Sequence, residues 1–106
     1  MLSRAQDTCV DRARRDEAFV REALREVRAL LLSGEGAAAD ILLESLAQGA
    51  PQTELTVRDA ADLLSVSRPH VEALMERGLP SSDGVEGRRL RLADVVCHRK
   101  ARIAGA

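Results

Sequence analysis

Between Val20 and Leu31 the large apolar residues recur at alternating spacings of four and three: Val20, Leu24, Val27, Leu31. That rhythm returns side chains to one stripe of an α-helix. Ala23 and Leu30 flank the stripe, and charged residues fill the other face. Asp11/Arg15, Arg12/Asp16 and Glu17/Arg21 sit one helical turn apart as attractive pairs, whereas Arg21/Arg25 repel. The pattern predicts one long helix from about Arg4 to Leu32. Its first part, up to about Ala18, has few large apolar residues and is expected to be frayed or disordered. Ser33-Gly34-Glu35-Gly36 stops it, because Gly suits a helix C-terminal cap. A second helix follows over roughly Ala37 to Ala47, with Ile41, Leu42, Leu43 and Leu46 as its apolar content. The stretch Gln48-Gly49-Ala50-Pro51-Gln52 reads as a linker, since Gly and Pro both end helices.

Beyond the linker the punctuation becomes denser. Thr56 is placed to cap a helix starting at Val57, with Asp59 three residues on in a capping-box arrangement. That helix is expected to end near Leu64. Ser65-Val66-Ser67 makes a turn, and Ser67 caps a further helix that tolerates Pro69 in its first turn and ends at Gly78. Leu79 to Leu92 is expected to be a loop or weak hairpin, and Ala93 to Ile103 a last helix. The expected organisation is a helical region over 1–50 and a second module over 51–106.

Composition agrees with a mostly α protein. Nearly half the residues are apolar, mainly Ala, Leu and Val, with Phe19 the sole aromatic. A net charge of −1 excludes bulk basicity as an argument for nucleic-acid binding, so that argument needs local clusters. One exists: Asp83 to Ala106 carries six cations against three anions. Cys9 and Cys97 lie far apart and lack metal-ligand spacing, so they read as two reduced, partly buried thiols. No signal-peptide pattern and no apolar run of the roughly 20 residues that span a bilayer is present, which leads to the expectation of a soluble, cytoplasmic protein. No phosphate-binding Gly loop, metal cluster or triad stands out. Neither enzymatic activity nor a cofactor is therefore expected. Asp40 and Glu44, one turn apart, read as solvated, and His98 beside Cys97 as packing.

The spacing after Leu55 meets the needs of two helices crossing steeply over a short turn. Ala61 supplies the small residue where backbones approach, and Val66 plugs the turn. Val71, Leu74 and Met75 supply the inner face of the second helix, and Leu63 and Leu64 close the core from the first. Ser65 occupies the turn position that is often Gly. On spacing alone, a helix-turn-helix that binds DNA and a simple αα-hairpin are both open.

The segment TVRDAADLLSVSRPHVEALMERGLP, followed by GRRLRLADVV, resembles the excisionase-type branch of MerR-like winged helix-turn-helix domains. The resemblance covers about Leu55 to Arg102, and AADLLSVSRP is its most specific part. It implies a second helix that enters the major groove and wing arginines that grip backbone or minor groove. It also implies a class in which many small members with an N-terminal helical extension are bacterial antitoxins. These repress their own operon and bind a toxin, often a PIN-type ribonuclease; others are excisionases. Carried over by position, the resemblance points to Ser67, Arg68 and His70 at the start of the recognition helix and to Arg88, Arg89 and Arg91 at the wing. The chemistry of these residues suits the role: helix N-terminal amides favour phosphate, arginines reach guanine edges or phosphates, and cations release counterions. The last helix adds Arg99, Lys100 and Arg102.

The expected architecture is therefore an N-terminal helical arm or hairpin plus a C-terminal winged helix-turn-helix with a short wing. The expected function is a DNA-binding antitoxin and autorepressor acting as a homodimer on double-stranded DNA, with a toxin as partner. The stripe Val20, Leu24, Val27 and Leu31 packs within the chain, on a second copy or on a partner, and the short chain favours an intermolecular dimer or partner interface. An excisionase or small stand-alone regulator is the alternative within DNA binding. A protein-interaction adaptor with a degenerate helix-turn-helix is the alternative outside it, favoured by the acids Glu72, Glu76, Asp83 and Glu86 and disfavoured by the Arg88/Arg89/Arg91 cluster.

Overall fold

In the computed structural model, which describes residues 4–84 and 87–105, the chain is mostly helical with a small antiparallel sheet. It divides into two compact units, Met1–Pro51 and Gln52–Ala106. Among the described residues, no helix is long and apolar enough to cross a membrane.

The first unit contains α1 (Arg4–Arg15), α2 (Glu17–Leu32) and α3 (Gly36–Gly49). The single long helix expected from Arg4 to Leu32 is broken at Asp16, a correction with a local cause. Asp16 adopts an extended backbone (φ −136°, ψ 100°) and its carboxylate accepts the Phe19 amide at 3.1 Å. A short acidic side chain at the start of a helix satisfies one of the amides that lack an intrahelical partner. The Arg12 guanidinium lies 4.8 Å over the Phe19 ring and bridges the break.

Nor is the segment before Ala18 frayed throughout: Val10 and Ala13 are buried where α1 packs on α3. Gly49 permits that approach, because a Cβ there would clash with the Val10 carbonyl oxygen and come within 2.7 Å of Ala13 Cβ. Val20, Ala23, Leu24 and Val27 turn inward from α2, and Ala39, Leu43 and Leu46 from α3. Among the described residues of this core Ser45 is the buried polar one, and its hydroxyl donates to the Ile41 carbonyl at 3.2 Å.

The second unit runs β1 (Glu54–Thr56), α4 (Val57–Leu64), α5 (Arg68–Glu76), β2 (Ser82–Gly84), β3 (Gly87–Arg91) and α6 (Leu92–Gly105). The sheet order is β1-β3-β2, all antiparallel, with Leu55 opposite Leu90, Thr56 opposite Arg89 and Asp83 opposite Arg88. The Leu92 amide donates to the Thr53 carbonyl at 2.8 Å and continues the β1 pairing into α6. Leu79 to Leu92, expected as a loop or weak hairpin, holds the β2–β3 hairpin; Val85 and Glu86, the latter one of the four acids weighed above, lie outside the described residues. Strand β1 carries little sequence signal, being three residues placed by pairing with a strand more than thirty positions on.

Local signals set the helix starts. The Thr56 hydroxyl accepts the Asp59 amide at 3.0 Å, and the Asp59 carboxylate accepts the Thr56 amide at 3.2 Å, a complete capping box. The Ser67 hydroxyl accepts the His70 amide at 3.3 Å, with Pro69 in the first turn of α5. Between the two helices Ser65 takes the left-handed conformation (φ 57°, ψ 44°), which turns the chain sharply. Ala60, Ala61, Leu63 and Leu64 of α4 and Val71 and Met75 of α5 are buried with Leu55, Leu90, Leu92, Val95 and Val96. Val66 is half-buried in the turn.

Candidate functional site

The end of β1, the start of α4, one side of α5 and strand β3 bound a groove of about 360 Å³. Its lining includes Arg58, Arg68, Arg88 and Arg89, together with Glu72, Thr56 and Met75. Arg58, Arg68, Arg88 and Glu72 are exposed, and Arg89 is half-exposed. Each element delivers its cation for a separate reason. Arg68 opens α5 directly after the Ser67 cap. Arg88 and Arg89 are consecutive near the start of β3, and both line the groove. The Arg88 guanidinium donates to the hydroxyl of Ser81, the residue before β2, at 3.0 Å. Arg89 lies between Thr56 and Ser82 on the neighbouring strands. Gly84 leaves room for it, since a Cβ there would sit 3.1 Å from Arg89 Cγ and 2.9 Å from the Gly87 carbonyl oxygen.

Of the six positions singled out for DNA contact, three meet in this groove: Arg68, Arg88 and Arg89. Ser67 and His70 are exposed at the start of α5 but outside the groove lining, and the Ser67 hydroxyl is engaged as a cap. Arg91 is turned to other work. Its guanidinium donates to the Gln52 side chain at 3.3 Å and pairs with the Asp94 carboxylate at 3.6 Å.

Arg58 was not among those positions, although it lines the groove. Nothing local in the sequence marks it. It joins the cluster because β1 pairs with β3: Thr56 stands opposite Arg89, and Arg58 follows Thr56 by two residues.

Two further sequence readings are corrected. Arg99 and Arg102, counted with Lys100 among the cations of the last helix, are hydrogen-bonded to α4, Arg99 half-buried and Arg102 still exposed. The Arg99 guanidinium donates to the Leu63 carbonyl at 2.9 Å, and that of Arg102 to the Leu64 carbonyl at 3.1 Å. Both satisfy carbonyls at the C-terminal end of α4, which have no intrahelical partner. Val20, Leu24 and Val27, expected as a dimer or partner interface, are buried within the first unit, and Leu31 is half-buried. A partner reaches those three side chains only if the unit opens. Among the described residues of the unit, the exposed large apolar side chains are instead Leu32 (88%) and Ile41 (53%).

Both thiols are free, and of the two only Cys97 departs from the expected partial burial. Cys97 is exposed, and Cys9 is half-buried, with burial pushing its thiol above the ordinary range. Among the described residues, no group of three or more His, Cys, Asp or Glu side chains is placed to hold a metal ion.

An uncharacterised protein of Mycobacterium bovis and uncharacterised proteins of two Mycobacterium tuberculosis strains are each 47% identical to this chain over 55 residues, covering 50% of this chain and 48% of the relative. The chain thus spans about half the length of the curated relatives it matches. No family profile matches the chain, and no solved structure does.

Proposed function

We propose that the second unit is a MerR-like, excisionase-type winged helix-turn-helix that binds double-stranded DNA, with α5 as recognition helix and the β2–β3 hairpin as wing. In this reading the chain is a transcriptional repressor of the antitoxin type. It acts as a dimer, and the N-terminal helical unit is the part that engages a toxin. One observation carries the DNA-binding reading: Arg58, Arg68, Arg88 and Arg89 come from three separate elements into one groove of a protein whose net charge is −1. A surface lined by several arginines offers positive potential to an anionic backbone. The separate helical unit, with Leu32 and Ile41 exposed, supports a partner-binding role for the N-terminal half.

The test is a mobility-shift titration on DNA from upstream of the protein's own gene, across a salt series, with unrelated DNA as control. Wild-type protein is expected to bind the upstream DNA more tightly and with steep salt dependence. Arg88→Ala/Arg89→Ala is expected to weaken binding to both and to reduce the salt slope by about one per lost phosphate contact. Glu72 within the groove is the observation that favours the adaptor reading, in which the fold has lost DNA affinity. Absence of any shift, with or without the neighbouring gene's product, makes that reading the leading one.

A further inference from the structure

The lining of the groove includes four arginines and one glutamate. Four arginines converging there fit a phosphodiester; Glu72 does not. Its position on α5 decides what it does. Val71 and Met75 mark the buried side of the helix, and Pro69 and Ala73, both exposed, lie on the opposite side. That opposite side is the one a base edge would meet. Arg68 and Glu72, one turn apart, lie on the flank between, where they line the groove together with Arg88 and Arg89 of the hairpin. Glu72 therefore lies on the groove flank of α5 beside Arg68, not on the side opposite the core.

We infer that this groove seats the phosphodiester backbone of one DNA strand, that Arg58 is a backbone contact, and that Glu72 is a built-in brake on affinity. The inference rests on the DNA-binding reading above. The carboxylate lowers the net charge of the lining side chains from four positive to three. It opposes every phosphate that enters, whatever the base sequence. A base-reading Glu would act differently, accepting from cytosine N4 and favouring one base pair over others.

The experiment compares wild type, Glu72→Gln and Arg58→Ala in full-length form on the upstream duplex and on an unrelated duplex, across salt. Both side chains are exposed, so both variants are expected to keep the wild-type melting curve. Glu72→Gln is expected to tighten binding to both duplexes by the same factor, roughly three- to tenfold at low salt. Arg58→Ala is expected to weaken both equally and to lower the salt slope by about one. A Glu72→Gln protein that binds while wild type does not also supports the brake. A changed preference between the two duplexes on Glu72→Gln assigns it to base readout and overturns the inference, as does unchanged affinity on both. If neither wild type nor Glu72→Gln shifts any DNA, the DNA-binding reading falls first and the inference falls with it.

Discussion

The guanidinium of Arg99 donates to the carbonyl oxygen of Leu63 at 2.9 Å, tying α6 to the end of α4 across 36 positions of sequence. Arg102 repeats the contact one residue on, at the Leu64 carbonyl. The last turn of α4 leads straight into Ser65, so these two arginines hold the helix end from which the turn to α5 departs.

Replacing both, as Arg99→Ala/Arg102→Ala, is expected to cost about 2–4 kcal/mol in the second unit, since a hydrogen bond from a charged donor contributes roughly 1.5–3 kcal/mol and part of each site is solvated. Thermal or urea unfolding measures this. The salt slope of any DNA binding is expected to stay at the wild-type value at temperatures where the variant is folded. A shallower slope would place these cations on DNA after all.

Ser65 sits at φ 57°, a region that L side chains other than Asn and Asp seldom occupy. Relief of that strain is partly offset by the greater freedom of Gly in the unfolded chain. Ser65→Gly is therefore expected to raise stability by roughly 0.5 kcal/mol, and Ser65→Val to lower it by about 1–2 kcal/mol. Urea midpoints at unchanged m-value provide the check. A Gly variant less stable than wild type would mean that the Ser65 side chain contributes more than its backbone strain costs.

Gly49 is where α3 meets α1. An added Cβ meets the Val10 carbonyl oxygen and lies 2.7 Å from Ala13 Cβ, and neither neighbour is the far end of a flexible side chain. Gly49→Ala is expected to destabilise the first unit by about 1–3 kcal/mol, despite the higher helix propensity of Ala. Hydrogen exchange resolved by segment is the direct readout, with protection lost in α1 and α3 and retained in α4 to α6. Uniform loss through both units would show that they unfold together.

The two thiols are expected to separate chemically. Cys97 is exposed, whereas burial holds the Cys9 thiol above its ordinary value. Only the thiolate reacts, so iodoacetamide at neutral pH is expected to label Cys97 first and Cys9 several-fold more slowly until the protein is unfolded. The sign for stability follows from the same shift. A raised folded-state value contributes stability below the unfolded thiol's value and loses it as pH rises through the folded one. Peptide mass mapping over time reads the order, and faster labelling of Cys9 would contradict its burial.

Sequence alone determined the features that are encoded within a few residues. Thr56 and Asp59 specify the start of α4, Ser67 the start of α5, and the three residues between Leu64 and Arg68 the turn, because caps and turns are hydrogen-bonded to their own neighbours. The inward set Val20, Leu24 and Val27 was likewise legible as a stripe, though not what the stripe would pack on. Asp16 was legible only in hindsight. Its i,i+4 spacing from Arg12 suggested a surface ion pair, while the competing use, capping Phe19, breaks the helix.

Tertiary structure decided the rest. It paired β1 with β3 and so carried Arg58 into the groove, took Arg91 out of it toward Gln52 and Asp94, and turned Arg99 and Arg102 from surface cations into caps. An arginine has the same local signature whether it faces solvent, an anion or a helix end. Its role is set by which carbonyls and charges the fold brings within reach, and those come from positions distant in the chain.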